Sequence, residues 1–255
     1  MKTIDFNCDL GEGIGNEAAI MPFISSANIA CGYHAGDENT IWQTVELCLK
    51  YNVAIGAHPS FLDKENFGRI EMKLDADDIY DLVTQQLIII DEIISEFDTS
   101  LHHVKPHGAL YNLSGKNKVV AKTIANAVKD YNKELILFGL SGSYSVKEAE
   151  KAGLKTCNEV FADRKYMDDG SLMSRNIQGS LINDTNEAVK QALQLVKGEK
   201  ITTGSGKKIK LKADTICLHG DGAHAVEFAK SINEVFKKEG ILIASTHHSP
   251  LTTRS

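Results

Sequence analysis

The segment HVKPHGALYN (residues 103–112) sets a short β-prone run against what reads as the start of a helix, with a lysine, a proline and a histidine at the junction. The chain has four prolines, Pro22, Pro59, Pro106 and Pro250, and two of them, Pro59 and Pro106, stand beside a histidine at the end of an apolar run. Alternate side chains of a strand share a face, so His103, Lys105 and His107 project together. Inside a barrel, a lysine on that face is no solvated surface charge and needs a buried partner. The segment thus reads as a strand that delivers chemistry at its end and hands the chain to a helix.

The same pattern recurs outward from it. Strand-like runs fall at residues 3–10, 27–34, 53–59, 103–108, 134–140, 154–162 and 215–221, with 241–245 as a further candidate. Helical periodicity occupies 40–51, 75–97, 119–131, 187–198 and 225–240. Asn39 or Thr40 would cap the first of these, Asp75 the second, and Gly240 would close the last. This is the β/α alternation of a parallel sheet. Residues 199–214 break it and read as a β-hairpin turning at Gly204-Ser205-Gly206; the phosphate-loop spacing is absent. Nearly every strand ends in polar residues: Asp9, His34, His58, His107, Asp163 with Arg164, and His219 with Asp221. An open sheet gathers ligands at one switch point, whereas a barrel collects all its strand ends around one mouth. The expected fold is α/β: a single-domain seven-stranded (β/α) barrel over residues 1–255, with a small β-hairpin insertion.

Composition excludes several partners. The 28 basic and 34 acidic residues give a net charge of −6, with no basic stripe suited to nucleic acid. No apolar run approaches the length of a membrane span, and the start MKTIDFNCDL lacks signal-peptide features, so a cytoplasmic location is expected. The five cysteines are scattered, without a C-x-x-C pair, and read as buried thiols.

The strand ends supply the candidate chemistry. Asp9 and Glu12, the latter between glycines, fit a base and a ligand, or else a cap and a loop residue. His34, His58, His107 and His219 at equivalent ends fit proton transfer or metal binding. Lys105 could hold an anionic group or serve in an internal ion pair. Arg164, with Arg69 and Arg175 on loops, suits a bidentate grip on a carboxylate or phosphate. Asp37, Asp163 and Asp221 complete the substrate-binding candidates. A divalent cation is compatible with this mixture, although no compact ligand motif specifies one.

The segments NCDLGEG, SSANIACGYHAGD, GAHPSF followed by FGR, HVKPHGALYN, FADRKYMDDGSL and LHGD resemble, in order and over nearly the whole chain, the LamB/YcsF family. Its fold is similar to the seven-stranded barrel of the glycoside hydrolase and polysaccharide deacetylase class. The resemblance implies a subunit that works with two partners, subunits B and C, to cleave 5-oxoproline to glutamate, with ATP as co-substrate. Of the three demands of such a site, Arg164 and Lys105 match the substrate carboxylate and the phosphorylated oxygen. Asp9, His34, His58, His107 and His219 match the attacking water. Two alternatives stand beside it: a stand-alone metal-dependent amide deacetylase, and a non-catalytic subunit that binds small acids. The chain departs from the family pattern at Ser174, at Gln178-Gly179-Ser180 and at Gly222-Ala223-His224, all in loops.

Overall fold

The computed structural model describes residues 2–246. Seven parallel strands close into a barrel in the order β1 (Lys2–Leu10), β2 (Ser26–Ala30), β3 (Ala54–His58), β4 (His103–Val104), β5 (Ile136–Leu140), β6 (Lys155–Phe161) and β9 (Thr215–His219), and β9 pairs back onto β1 through Asp5↔Thr215 to Asp9↔His219. Outside the ring run α1 (Glu17–Ile20), α2 (Glu38–Tyr51), α3 (Ala76–Ile94), α4 (Gly108–Lys116), α5 (Lys118–Tyr131), α6 (Tyr144–Ala152), α7 (Thr185–Lys197) and α8 (Ala225–Lys238). The predicted hairpin is present as β7 (Ile201–Thr202) and β8 (Lys208–Ile209), paired antiparallel. No helix among the described residues is long and apolar enough to cross a membrane.

Three details differ from expectation. The cap of α2 is Asp37, whose carboxylate accepts from the Thr40 backbone N–H at 2.8 Å. Residues 241–245 do not join the ring. Their strand, β10 (Ile241–Ile243), pairs only with Lys2–Ile4, and the chain then brings Thr246 to His102 and Cys157. β4 is short, because Pro106 has no N–H to offer. Its pairing with β3 nevertheless continues through Lys105 N–H to the Ala57 carbonyl and His107 N–H to the Pro59 carbonyl.

The main hydrophobic core lies between barrel and helices, so the apolar residues of β1 point outward: Phe6 meets Phe236 of α8, with Cys8 and Leu10 in the same layer. The alternate residues Asp5, Asn7 and Asp9 therefore face the interior, where they are 0–3% exposed. A buried polar group must find a partner, and these find one another. Asp5 accepts from the hydroxyls of Ser25, Ser26 and Thr215. Asn7 donates to Glu159 and Thr215, and Asn28 donates to Asn7 and Asp9. His103 donates to Asn28 at 2.8 Å and stacks on Phe138, with ring centroids 4.1 Å apart. Burial lifts the Asp5 carboxyl to about 6 against these hydrogen bonds.

Gly56, in register with His103, leaves the space that this imidazole fills. A Gly56→Ala methyl would fall on the ring, which stacking and its hydrogen bond hold in place. Urea denaturation should show a loss of about 1–3 kcal/mol, the usual cost of overpacking.

Candidate functional site at the barrel mouth

A cleft of about 820 Å³ opens at the C-terminal ends of the strands. Asp9, His58, Lys105, His107 and His219 line it, and Arg69, Arg164 and Arg175 reach it from loops. Glu12 and His34 sit behind His58 and His107. The turn that brings Glu12 inward needs left-handed backbone on both sides, with φ of +71° at Gly11 and +78° at Gly13, which glycine adopts without strain.

Lys105 is 2% exposed and anchors the floor. Its ammonium donates to Asp9 Oδ1 at 2.7 Å, lies 3.0 Å from Glu159 Oε1, and reaches Cys217 Sγ at 2.9 Å. Burial disfavours the Lys105 charge, yet Asp9, Cys217 and Glu159 outweigh it and push its pKa well up. Burial likewise opposes the Asp9 charge, but Lys105, then His58 and His219, hold this carboxyl well below the usual range. Glu12 goes the opposite way: burial, then the charges of Asp9 and Asp221, raises it well above an ordinary glutamate. Two carboxyls three residues apart therefore differ in protonation, one an anion and the other a proton carrier.

Glu12, His34, His58 and His107 form a compact cluster, with one ligand atom from each lying within 4.8 Å of all the others. It is a set of donors that could hold a metal ion. His34 and His107 stack face to face, centroids 3.8 Å apart. Burial, followed by the neighbouring imidazoles, depresses the His107 pKa well below normal and takes that of His34 to about 2, so both rings are neutral. Phe67, at φ +56°, packs its ring against both. A bulky residue adopts such a backbone only under tertiary constraint.

On the opposite wall, His219 Nδ1 lies 2.9 Å from Asp163. Burial opposes the Asp163 charge, but His219, Arg164 and Arg175 keep its carboxyl low. Arg164 is 4% exposed; one Nη donates to the Met173 carbonyl, while Nε is buried without a hydrogen-bond partner. Burial and the nearby Arg175 bring its pKa down to about 10.

Eleven of the twelve expected site residues thus converge at the mouth, although Asp163 acts through His219. One residue lies elsewhere. Asp37, expected to bind substrate, is an exposed helix cap and does not line the cleft. Asp221 forms an ion pair with Arg69, one of the arginines that line the cleft. Glu159, Asn28 and Ser60 escape the strand-end reading because they lie below the mouth or carry no charge. The polar period of two in D5-F6-N7-C8-D9 is a sequence signal for a polar interior, beside that of HVKPH.

Lys105→Met would leave Asp9 and Glu159 buried without their cation. Removing one member of a buried ion pair costs about 3–5 kcal/mol, a loss that chemical denaturation should register.

Known proteins share both the sequence and the barrel. The LamB/YcsF family model matches residues 4–250. The A subunit of 5-oxoprolinase from Staphylococcus haemolyticus (strain JCSC1435) is 50% identical over 247 residues, 95% of this chain and 99% of that protein. A lactam utilization protein from Thermus thermophilus superposes with a TM-score of 0.89 at 38% identity, covering 96% of this chain and 99% of its own. A family 4 carbohydrate esterase from Streptomyces lividans has the same fold, with a TM-score of 0.54 at 10% identity over 96% of this chain and 92% of its own. With the family model spanning nearly every described residue and half the positions shared with a full-length relative, the chain belongs to the LamB/YcsF family.

Proposed function

We propose that this chain is part of an ATP-dependent 5-oxoprolinase that opens 5-oxo-L-proline to L-glutamate while ATP is hydrolysed to ADP and phosphate. The observation that carries this reading is the make-up of the cleft: three arginines line it together with carboxylate and imidazole groups. The substrate carries a carboxylate next to an unstrained lactam, and such an amide resists water. Phosphorylation of the lactam oxygen makes it a leaving group. Water then adds at the ring carbon, the ring C–N bond breaks, and the nitrogen departs as an amine after taking a proton; a second water hydrolyses the resulting γ-glutamyl phosphate to glutamate and phosphate.

Each demand has a group suited to it. Arg164, with an unpartnered buried Nε, offers a charged donor for the substrate carboxylate, and Arg69 and Arg175 extend that field toward a phosphoryl group. Asp9, ionised and 3.5 Å from His58 Nε2, is placed to take a proton from water. His219, oriented by Asp163, is placed to give one to the leaving nitrogen. The cleft volume exceeds what a five-membered lactam fills, leaving room for phosphate.

Two relatives support the substrate, through the words 5-oxoprolinase and lactam in their names, and the term subunit supports an assembly. The rim accords with partners, subunits B and C. Ile14, Leu62, Ile70, Tyr144, Met167 and Ile177 are large apolar side chains 42–62% exposed, all on segments that follow the barrel's mouth-side strand ends. Apolar surface gathered around a site marks an interface. A cytoplasmic complex would meet ATP where it is supplied.

Mixing the chain with its two partner subunits, ATP and 5-oxoproline should release glutamate and phosphate; no release from well-folded proteins would sink the proposal. Arg164→Gln should raise KM for 5-oxoproline roughly tenfold to hundredfold, the worth of a hydrogen bond to a charged group, with a smaller effect on kcat. The double variant Leu62→Asp, Ile70→Asp should keep its circular dichroism spectrum but co-elute poorly with the partners in size-exclusion chromatography.

A further inference from the structure

The cluster at Glu12 poses a problem of lone pairs. A backbone carbonyl can only accept, so each imidazole nitrogen facing one must carry the proton. His58 Nδ1 lies 2.7 Å from the Lys105 carbonyl, and His107 Nε2 lies 3.0 Å from the Phe67 carbonyl. The Ser60 hydroxyl gives its hydrogen to the Phe61 carbonyl at 2.9 Å, so it accepts from His34 Nδ1, also at 2.9 Å. Gln86 of α3 pins Ser60 through both backbone polar groups. All three of these protons are thereby set from outside the cluster, and a ring that carries only this one has its other nitrogen bare.

Those bare nitrogens face inward together. His58 Nε2 and His107 Nδ1 are 2.9 Å apart, a hydrogen-bond distance between two acceptors. His34 Nε2 lies 3.3 Å and His107 Nδ1 3.6 Å from Glu12 Oε1. All four residues are buried. A single proton on Glu12 serves at most one of the three nitrogens. A buried set of converging lone pairs, each fixed by a hydrogen bond on its far side, is the arrangement by which proteins orient histidine ligands toward a metal.

We propose that Glu12, His34, His58 and His107 bind one divalent transition-metal ion, with Ser60 and the carbonyls of Phe67 and Lys105 orienting the three imidazoles. Three nitrogen donors and one carboxylate oxygen suit zinc or a neighbouring first-row ion better than magnesium or calcium, which prefer all-oxygen sites. His58 and His107 line the cleft, so the ion would sit where its floor meets the substrate space. The inference stands on the tautomers and not on the identity of the substrate.

The test uses the full chain, stripped with a chelator and titrated with Zn2+ by calorimetry and with Co2+ by visible absorption. One equivalent should bind, and the cobalt form should show the intense visible bands of a low-coordinate site. The double variant His34→Ala, His107→Ala should lose at least about 100-fold in affinity. Ser60→Ala, which leaves every ligand in place, should weaken binding about tenfold through lost orientation. His219→Ala, outside the cluster, should bind as the wild type does. No stoichiometric binding by the folded wild-type chain, or wild-type affinity in the double variant, would overturn the proposal; folding is checked by circular dichroism. These readouts need no turnover, so a failed 5-oxoprolinase assay and a failed metal site would be told apart.

Discussion

The arrangement of the mouth rests on one buried charge, the Lys105 ammonium between Asp9 and Glu159. An ammonium taken out of water is expensive unless anions surround it, and the barrel supplies one from β1 and another from β6. Because these strands lie on opposite sides of β9 in the ring, the ion cluster ties its walls together. Closing the barrel and charging its axis are one event: without closure the lysine has no partners, and without the lysine two carboxylates share a dry interior.

From that pair the rest of the site takes its electrostatics. Lys105 keeps Asp9 ionised; burial, and then the charge of Asp9, pushes the Glu12 carboxyl well above the usual range. The ionised Asp9 also receives Asn28, which holds His103 and so links the mouth to the barrel floor. His34 and His107 stay neutral because they are buried and crowd their neighbouring imidazoles. Loop arginines add the cationic groups of the cleft, beside Asp163 and Asp221.

Much of this was legible in particular residues. The repeated β/α units and the polar strand ends carry the barrel, because a strand buried by helices on its outer face must be apolar there, and side chains at a strand's C-terminal end meet the mouth whichever barrel they belong to. HVKPHG announces its inward lysine by charge alone. Asp37 misleads because a carboxylate after a strand serves a helix cap as well as it serves a ligand, and the choice depends on where the next N–H groups point. Asp221 has a partner that no local pattern announces, Arg69, 152 residues away. Glu159 is missed because it sits two residues before the end of its strand, and only closure of the sheet puts it beside Lys105.

The sequence by itself determined the alternation of elements, the family and the set of groups brought to one rim, since these depend on local periodicity and on side-chain order along each strand. The tertiary structure alone decided which of those groups touch. Lys105 meets Asp9 across 96 positions and His34 meets Glu12 across 22. It also decided which nitrogen of each imidazole carries a proton, because the carbonyls and the hydroxyl that set the tautomers arrive from other strands and loops. Protonation depends on burial and distance, and a linear sequence specifies neither until the barrel has closed.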